Sequence, residues 1–504
     1  MTEKSIIIIG AGISGLATGC YGQMNGYRTQ IFELHTLPGG LCTAWKRKRY
    51  TFDGCIHWLI GAGPGSGFHH VWEELGAVQD RPMVYHHEFI RFQGPNGKAL
   101  TVYTDIDRLE RHMKALFPAD AKPIEEYTQA ARRFTRFDLF ALPILTPRET
   151  LTMLPHAGAL LKWGRITMQD YAGRFLDPFL RQVFPLIHNY PPFPMAGHLA
   201  NLAAWHSHNS GWPTGGSLPF ALAIQRRYCD LGGEIHYRSR VEKVLVEAGP
   251  KPGRGADRAV GVRLADGTEH YADAVVSAAD GYTTIFDMLG GAYVNDQIRD
   301  YYAQPPSRQE HGILVSLGVA RDLANEPHAV TYLLEQPVAI AGQERDRLTV
   351  EHYSFDPAMA PAGKSAIGVW LESSYAYWQG IRGDHEQYEA EKQRVANAVT
   401  GQLERYYPGI SAQIEVVDVA TPLTIERYTG NWRGSEAWFP KKSGLGVMLR
   451  GLSRTLPGLD DFYMVGQWAG AAGGLPMAAT SARKLIQNLC RRERRPFVAT
   501  VPSS

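Results

Sequence analysis

The stretch SIIIIGAGISGLATG, residues 5–19, constrains the fold more than any other part of the chain. Four consecutive isoleucines run straight into Gly10-x-Gly12-x-x-Gly15. An unbroken apolar run of this kind fits a strand buried on both faces, as in a parallel sheet. Gly10 permits the tight turn that follows. Gly12 lets a pyrophosphate approach the backbone, and Gly15 lets the next helix pack closely on the strand. The N-terminus of that helix supplies N–H groups and partial positive charge for the phosphates. A second strand, residues 29–32, ends at Glu33, at the spacing expected of an acid that holds a ribose hydroxyl. The charge of Glu33 would repel a 2′-phosphate, which argues against an NADP-type ligand. A glycine turn with a purely structural role would need neither the strand before it nor the acid after it.

The chain has 504 residues, enough for two or three domains, and its 44% hydrophobic content permits a large core. The net charge of +2 gives no electrostatic case for binding nucleic acid. Cys20, Cys42, Cys55, Cys229 and Cys490 are odd in number, scattered and without a CxxC pair. They point to reduced thiols in a cytosol rather than to a disulfide framework or a zinc site. The apolar start is occupied by the nucleotide-binding strand, so it is not read as an export signal. No other uninterrupted run reaches spanning length. The expected location is cytoplasmic, with membrane association as the alternative.

Strand signals return far along the chain. Residues 88–92, 234–237, 241–246, 259–268 and 272–279 read as strands, with Asp266-Gly267 as a hairpin turn. Residues 107–117 read as a helix, and 124–206 as mostly helical and rich in aromatics. Residues 461–467 read as one more buried strand, entering a glycine-rich turn and a closing helix at 477–490. The Pro/Gly stretch 249–255 reads as a long hairpin loop inside the β region. Nucleotide-binding signals therefore lie at both ends and in the middle. The expected fold class is α/β, with a Rossmann domain from residues 1–90, 207–290 and 455–504. A discontinuous, mixed α+β substrate domain would come from residues 91–206 and 291–454.

A plain nicotinamide domain accounts for only part of this pattern. Gly39-Gly40 places a second bare backbone just after the ribose carboxylate. A larger dinucleotide, whose pyrophosphate and ribityl chain run past this loop, has a use for it. At the other end Gly466-Gln467 follows a strand, and Gly473-Gly474-Leu475-Pro476-Met477 leads into the last helix. This is a second helix N-terminus suited to a phosphate or a polar ring edge. An ordinary turn and a helix cap are the bland readings of each stretch taken alone. The glycines at 61–67 have no buried strand leading into them as one leads into Gly10, and no paired acid follows, so no separate nicotinamide domain is expected.

The full set is Gly10-x-Gly12-x-x-Gly15, Glu33, ProGlyGly at 38–40, TyrThrPheAspGly at 50–54, TrpProThrGlyGly at 212–216, ThrProLeuThr at 421–424, ArgTyrThrGlyAsn at 427–431, and ValGlyGlnTrp with GlyGlyLeuPro within 465–476. It resembles the phytoene desaturase-like flavoproteins, which include phytoene desaturases, carotenoid isomerases and retinol saturases. The resemblance runs through nearly the whole chain, and its terminal motifs specify the superfamily far better than the substrate. It implies non-covalent FAD in a glutathione-reductase-like Rossmann domain. By position it implies Gly10, Gly12 and Gly15 along the pyrophosphate and Glu33 at the adenosine ribose. It further implies Gly39, Gly40 and Leu41 past the ribityl side, and the Val241 backbone beside the adenine. Gly466, Leu475, Pro476 and Met477 would follow the ribityl chain and the isoalloxazine. Residues 53–58 would lie near the flavin ring. The family form there is closer to PheAsp-x-Gly-x-His, whereas this chain has Gly54 one position earlier, followed by Cys55.

In flavin chemistry the cofactor carries the difficult step, so no nucleophile–base pair is expected. His57 is the candidate proton donor or acceptor near the flavin, with a packing role as the alternative. His206 and His208 lack the carboxylate or cysteine partners of a metal site, and no metal is expected. Trp58, Trp205, Trp212, Tyr375, Tyr377, Trp378, Tyr428, Trp432 and Trp438 either line an apolar tunnel or fill ordinary core, and the cluster at 428–438 is the better tunnel candidate. The apolar, proline-broken stretches 137–145 and 153–164 are flanked by Arg and Lys. They read either as a monotopic membrane contact or as a helical cap buried on its own domain.

With these features, the resemblance implies an FAD-dependent oxidoreductase acting on carbon–carbon bonds of an apolar polyene or isoprenoid, by desaturation, saturation or isomerisation. Its expected electron partner is a quinone, oxygen or a redox protein. An amine or amino-acid oxidase on the same scaffold would need a polar pocket with a carboxylate anchor. A flavin-retaining binding or assembly protein would hold FAD that nothing cycles.

Overall fold

The computed structural model describes residues 4–249, 256–305, 312–438, 453–469 and 474–502. β1 (Ser5–Ile9), α1 (Ile13–Met24) and β2 (Arg28–Phe32) build the strand–helix–strand unit that the glycine motif requires. All four isoleucines of β1 are buried because this strand lies mid-sheet. The sheet order is Glu234–His236, β2, β1, Ala274–Ser277, Phe462–Met464, with every neighbouring pair parallel. Its strands therefore come from the beginning, middle and end of the chain.

Gly10 turns the chain with φ +94°, a conformation that a side chain disfavours. A Cβ on Gly15 would come within 1.9 Å of the Gly10 carbonyl oxygen, so only glycine lets α1 sit this close to β1. On its other side, Leu16, Ala17 and Cys20 share a core with Ala478, Ala479 and Ala482 of the closing helix Gly474–Arg492. Small residues on both helices keep the pair tight against the sheet.

β3 (Ala44–Arg47) and β4 (Tyr50–Asp53) form a hairpin between this sheet and a second, larger one. The Tyr50 hydroxyl donates to Glu415 Oε2 at 2.7 Å, and its ring covers Gly318, where a Cβ would be 2.6 Å away. The larger sheet has seven strands in the order Ile414–Ala420, Ile313–Val319, Ser365–Leu371, Gln343–His352, Ala329–Ile340, Glu88–Gln93, Ala99–Tyr103. It is antiparallel except where Ala329–Ile340 meets Glu88–Gln93. The helix His385–Tyr406 packs Val395, Val399 and Leu403 against Val315, Leu317 and Val369 of this sheet. The helices between residues 106 and 206 share another core with Phe92, Leu100 and Val102.

Val241–Glu247 and Asp257–Leu264 pair antiparallel, so the stretch 249–255 connects a hairpin; residues 250–255 lie outside the described residues. Asp266-Gly267 turns the chain into Glu269–Tyr271, with Gly267 at φ +87°. Among the described residues, no helix is long and apolar enough to cross a membrane.

Candidate functional site

The main cleft, about 330 Å³, opens at the C-terminal ends of β1 and β2 and is closed on the far side by the seven-stranded sheet. Ligands of open α/β sheets bind at this edge because loops and helix N-termini converge there. Gly10, Gly12, Glu33, Gly39, Gly40, Leu41, Val241 and Leu475 all line it. The opposite wall is Leu314, Trp370, Ala420 and Asp418, whose carboxylate accepts from Arg47 Nε at 2.7 Å and Trp45 Nε1 at 2.9 Å.

α1 opens onto this space. Its N-cap is Gly12, which offers no side-chain cap, and a Cβ there would meet only Gly39 O, at 4.0 Å. The Gly39 N–H donates to Ala11 O at 2.8 Å, which holds the 34–43 loop across the helix N-terminus. Glu33 is buried at the end of β2. One carboxylate oxygen accepts the Ala11 N–H at 2.6 Å and the other accepts the His35 N–H at 2.7 Å. Burial pushes the Glu33 carboxyl up from its usual range, and these two N–H groups oppose that shift. A carboxylate oxygen has lone pairs beyond the one each N–H uses, so Glu33 can still accept ribose hydroxyls. An open helix N-terminus, a bare backbone loop and an oriented buried carboxylate fit a dinucleotide.

The remaining expected residues fall on or just behind the wall. Gly15 packs behind the turn, as described. Gly466, at φ +95°, donates its N–H to Ser481 Oγ at 2.7 Å and lies against Ser14, which lines the cleft. Pro476 is buried in the first turn of the closing helix and Met477 is half-buried beside it. Leu475 and Ala478 reach the cleft from that turn. Gly473 lies outside the described residues.

Gly54 and Cys55 line the cleft, and His57 lies just beyond them. Its Nδ1 is 2.8 Å from Glu351 Oε2, and its ring centroid is 6.0 Å from that of Trp370. Desolvation by the surrounding protein pulls the imidazolium down, but the Glu351 carboxylate outweighs it and holds the pKa at about 9. The loop carrying His57 is anchored by Asp53, which is buried and accepts the N–H groups of Cys55, Ile56 and Ser217 and the Ser217 hydroxyl.

Of the aromatic candidates, Tyr428 lines the cleft together with Thr429, Gly430 and Asn431. Trp432 stacks on Tyr282 instead, and Trp438 is buried in the core. Trp58 and Trp205 form an aromatic box with Phe89, and Trp378 is fully buried. His206 and His208 do not converge. His206 Nδ1 is 3.5 Å from Asp105, whereas His208 stacks on Tyr85.

Sequence reasoning passed over Asp280. It is buried, lines the cleft and accepts the N–H groups of Tyr282 and Thr283. Burial pushes its carboxyl up to about 6. Its available signal was its place just after the strand Ala274–Ser277, at the ligand-binding edge of the sheet.

A model of the NAD(P)-binding Rossmann-like domain matches residues 8–75. The chain is 24% identical to the chloroplastic prolycopene isomerase of Arabidopsis thaliana, over 91% of this chain and 78% of that one. It is 25% identical to the lycopene-forming phytoene desaturase of Pseudescherichia vulneris, over 95% and 98%. It is 23% identical to the all-trans-retinol 13,14-reductase of Homo sapiens, over 86% and 77%. The chain is a homologue of these oxidoreductases. The resemblance to phytoene desaturase-like proteins thus holds across most of the sequence. The fold is shared with an oxidoreductase from Methanosarcina mazei, at TM-score 0.61 and 16% identity, over 96% of this chain and 100% of that one. It is shared also with putrescine oxidase bound to putrescine, at TM-score 0.56 and 14% identity, over 97% and 99%. At such identities the structural likeness shows the fold alone, and chemistry has to be argued from the site.

Proposed function

We propose that this chain is an FAD-dependent oxidoreductase acting on carbon–carbon bonds of an apolar polyene or isoprenoid-type substrate, by desaturation, saturation or isomerisation. One observation carries the reading. A cleft with the dinucleotide set on one wall is faced by the apolar Leu314, Trp370 and Ala420 of the seven-stranded sheet, and the carboxylate beside them, Asp418, is already engaged by Arg47 and Trp45. The length-spanning homology to polyene-named enzymes supports it.

Gly10 and Gly12 would take the pyrophosphate at the α1 N-terminus, and Glu33 the adenosine ribose. The Val241 backbone would flank the adenine. Gly39, Gly40 and Leu41 would follow the ribityl chain, with Gly466, Leu475, Pro476 and Met477 completing that side. The flavin, once bound, supplies the redox chemistry at its ring. Trp370 and Leu314 would exclude water and stack an apolar chain beside it. His57, kept protonated at neutral pH by Glu351, would hold or deliver a proton at Nε2. Electrons would pass to or from a quinone, oxygen or a redox protein.

A membrane-held substrate must be reached, and the helical region offers a docking surface. Leu151, Leu154 and Leu161 are 62%, 66% and 61% exposed, beside the exposed Arg148, Lys162 and Arg165. Exposed leucines next to basic residues suit the headgroup boundary of a bilayer. The chain would then be a cytoplasmic protein that docks peripherally.

The test has two arms under anaerobic conditions. A panel of polyene lipids in liposomes is set against a panel of amines and amino acids in buffer, with flavin absorbance and product mass as readouts. The proposal expects turnover with the polyenes. Flavin reduction by the polar panel alone would overturn it in favour of an amine oxidase. Release of FAD into the supernatant on acid denaturation checks the cofactor separately.

A further inference from the structure

The β3–β4 hairpin carries two cysteines at its open end. Ala44 stands opposite Asp53, and the Gly54 N–H donates to Thr43 O at 3.0 Å. Continued by two positions on each side, this register sets Cys42 opposite Cys55. The contacts agree, because Asp53 grips the Ser217 N–H and hydroxyl while Cys42 Sγ donates to Ser217 O at 3.5 Å. Both cysteines are free thiols.

Both residues line the cleft, beside Leu41, Gly54 and Trp370. Cys42 is buried and Cys55 is half-buried. That asymmetry suits a dithiol in which the outer sulfur meets the reagent and the inner one closes the bridge. Burial pushes the Cys42 thiol up, so Cys42 stays protonated until its partner reacts.

We propose that Cys42 and Cys55 are a redox-active dithiol that passes two electrons to a flavin in this cleft. The acceptor rests on the FAD reading above; the disulfide itself does not. Two S–H bonds break and one S–S bond forms. The two electrons and two protons go to the oxidised flavin, which is thereby reduced. An external dithiol restores the pair by thiol–disulfide exchange and is itself oxidised to a disulfide.

The first experiment maps thiols in the full-length protein after treatment with oxidised glutathione or with dithiothreitol. Denaturing alkylation, digestion and mass spectrometry then locate the bridges. The expected result is a Cys42–Cys55 cross-linked peptide after oxidation, absent after reduction. The exposed Cys229 reports reagent activity through its own glutathione adduct. Modified Cys229 together with fully alkylatable Cys42 and Cys55 overturns the proposal, with or without flavin bound. The second experiment adds dithiothreitol anaerobically to the yellow protein. Flavin bleaching should be at least about tenfold slower in Cys42→Ala and Cys55→Ser, at equal flavin content, than in the wild type. Equal bleaching in all three overturns the electron-transfer role. Failure of Cys42→Ala to fold leaves the half-buried Cys55→Ser for the same comparison. Protein that holds no flavin sinks the FAD reading alone, and the peptide map still decides the dithiol.

Discussion

His57 Nδ1 lies 2.8 Å from Glu351 Oε2, joining the loop after β4 to the strand Gln343–His352 of the seven-stranded sheet. The carboxylate raises the histidine from 6.5 to about 9, outweighing the desolvation of its ring. A raised folded-state pKa contributes stability that is full below about pH 6.5 and lost as pH rises through about 9. Glu351→Gln should bring the His57 titration down toward its ordinary value and flatten stability across that window. Histidine NMR titration with denaturant midpoints at several pH values checks both. An unmoved titration in the variant would show that the ion pair does not set the pKa.

Glu33 is oriented by the Ala11 and His35 N–H groups before any ligand arrives. Glu33→Ala removes the proposed ribose acceptor and strands the Ala11 and His35 N–H groups, while the apolar packing of β1, α1 and β2 stays. Loss of a hydrogen bond to a charged group costs about 1.5–3 kcal/mol, or roughly ten- to a hundredfold in dinucleotide affinity. Apo-protein titrated with FAD, followed by fluorescence quenching, measures this. Unchanged affinity with unchanged melting would remove Glu33 from the site.

Asp53 accepts four hydrogen bonds, at 2.6 to 3.1 Å, from Ser217, Cys55 and Ile56. Asp53→Ala strands buried donors and unpins the loop that carries Cys55 and His57. The expected cost is about 3 kcal/mol or more, read as a drop in the urea midpoint. Asp53→Asn, which keeps one acceptor oxygen, should lose less. Equal stability of the two variants would mean the loop is held by packing.

How far the sequence speaks for itself depends on distance along the chain. The Gly10–Glu33 unit is legible because its strand period, turn glycines and acid spacing are all local. Gly466 is legible as a turn, yet its job of seating Ser14 is a contact across 452 positions of chain that no motif states. The His57–Glu351 pair spans 294 positions, and Trp370 reaches the cleft from a different sheet. Only the three-dimensional pairing of sheets supplies such contacts. Cys42 and Cys55 are an intermediate case. They look scattered when counted, but they are equidistant from the Lys48-Arg49 turn of one hairpin, so drawing that hairpin would have paired them. The stretches 137–145 and 153–164 split between their two readings. Phe137, Phe140, Leu160 and Trp163 pack into the helical core, while Leu154 and Leu161 face out.

That outward set carries the last prediction. Leu151, Leu154 and Leu161 recur at intervals of three and seven across the helices Pro147–Leu151 and Ala157–Gly164 and the turn Leu154–His156 between them. All three side chains are exposed along this one short segment. They bury little surface within the chain, so changing all three to Ser should leave the melting temperature within a few degrees. Each leucine moved from water into acyl chains gains about 1.5–3 kcal/mol, less whatever area it already shields. Even a third of that gain per residue, summed over three, amounts to roughly tenfold or more in partitioning. The triple variant should therefore sediment with anionic liposomes at least about tenfold less than the wild type. Arg148, Lys162 and Arg165 add an electrostatic share, so wild-type binding should weaken with salt and on neutral liposomes. Lys162 already pairs with Glu126 at 3.0 Å, so Arg148→Gln and Arg165→Gln should matter more than Lys162→Gln. Wild-type protein that leaves every liposome in the supernatant, or a triple variant that binds as well as the parent, would end the docking surface. The apolar substrate would then have to arrive by another route.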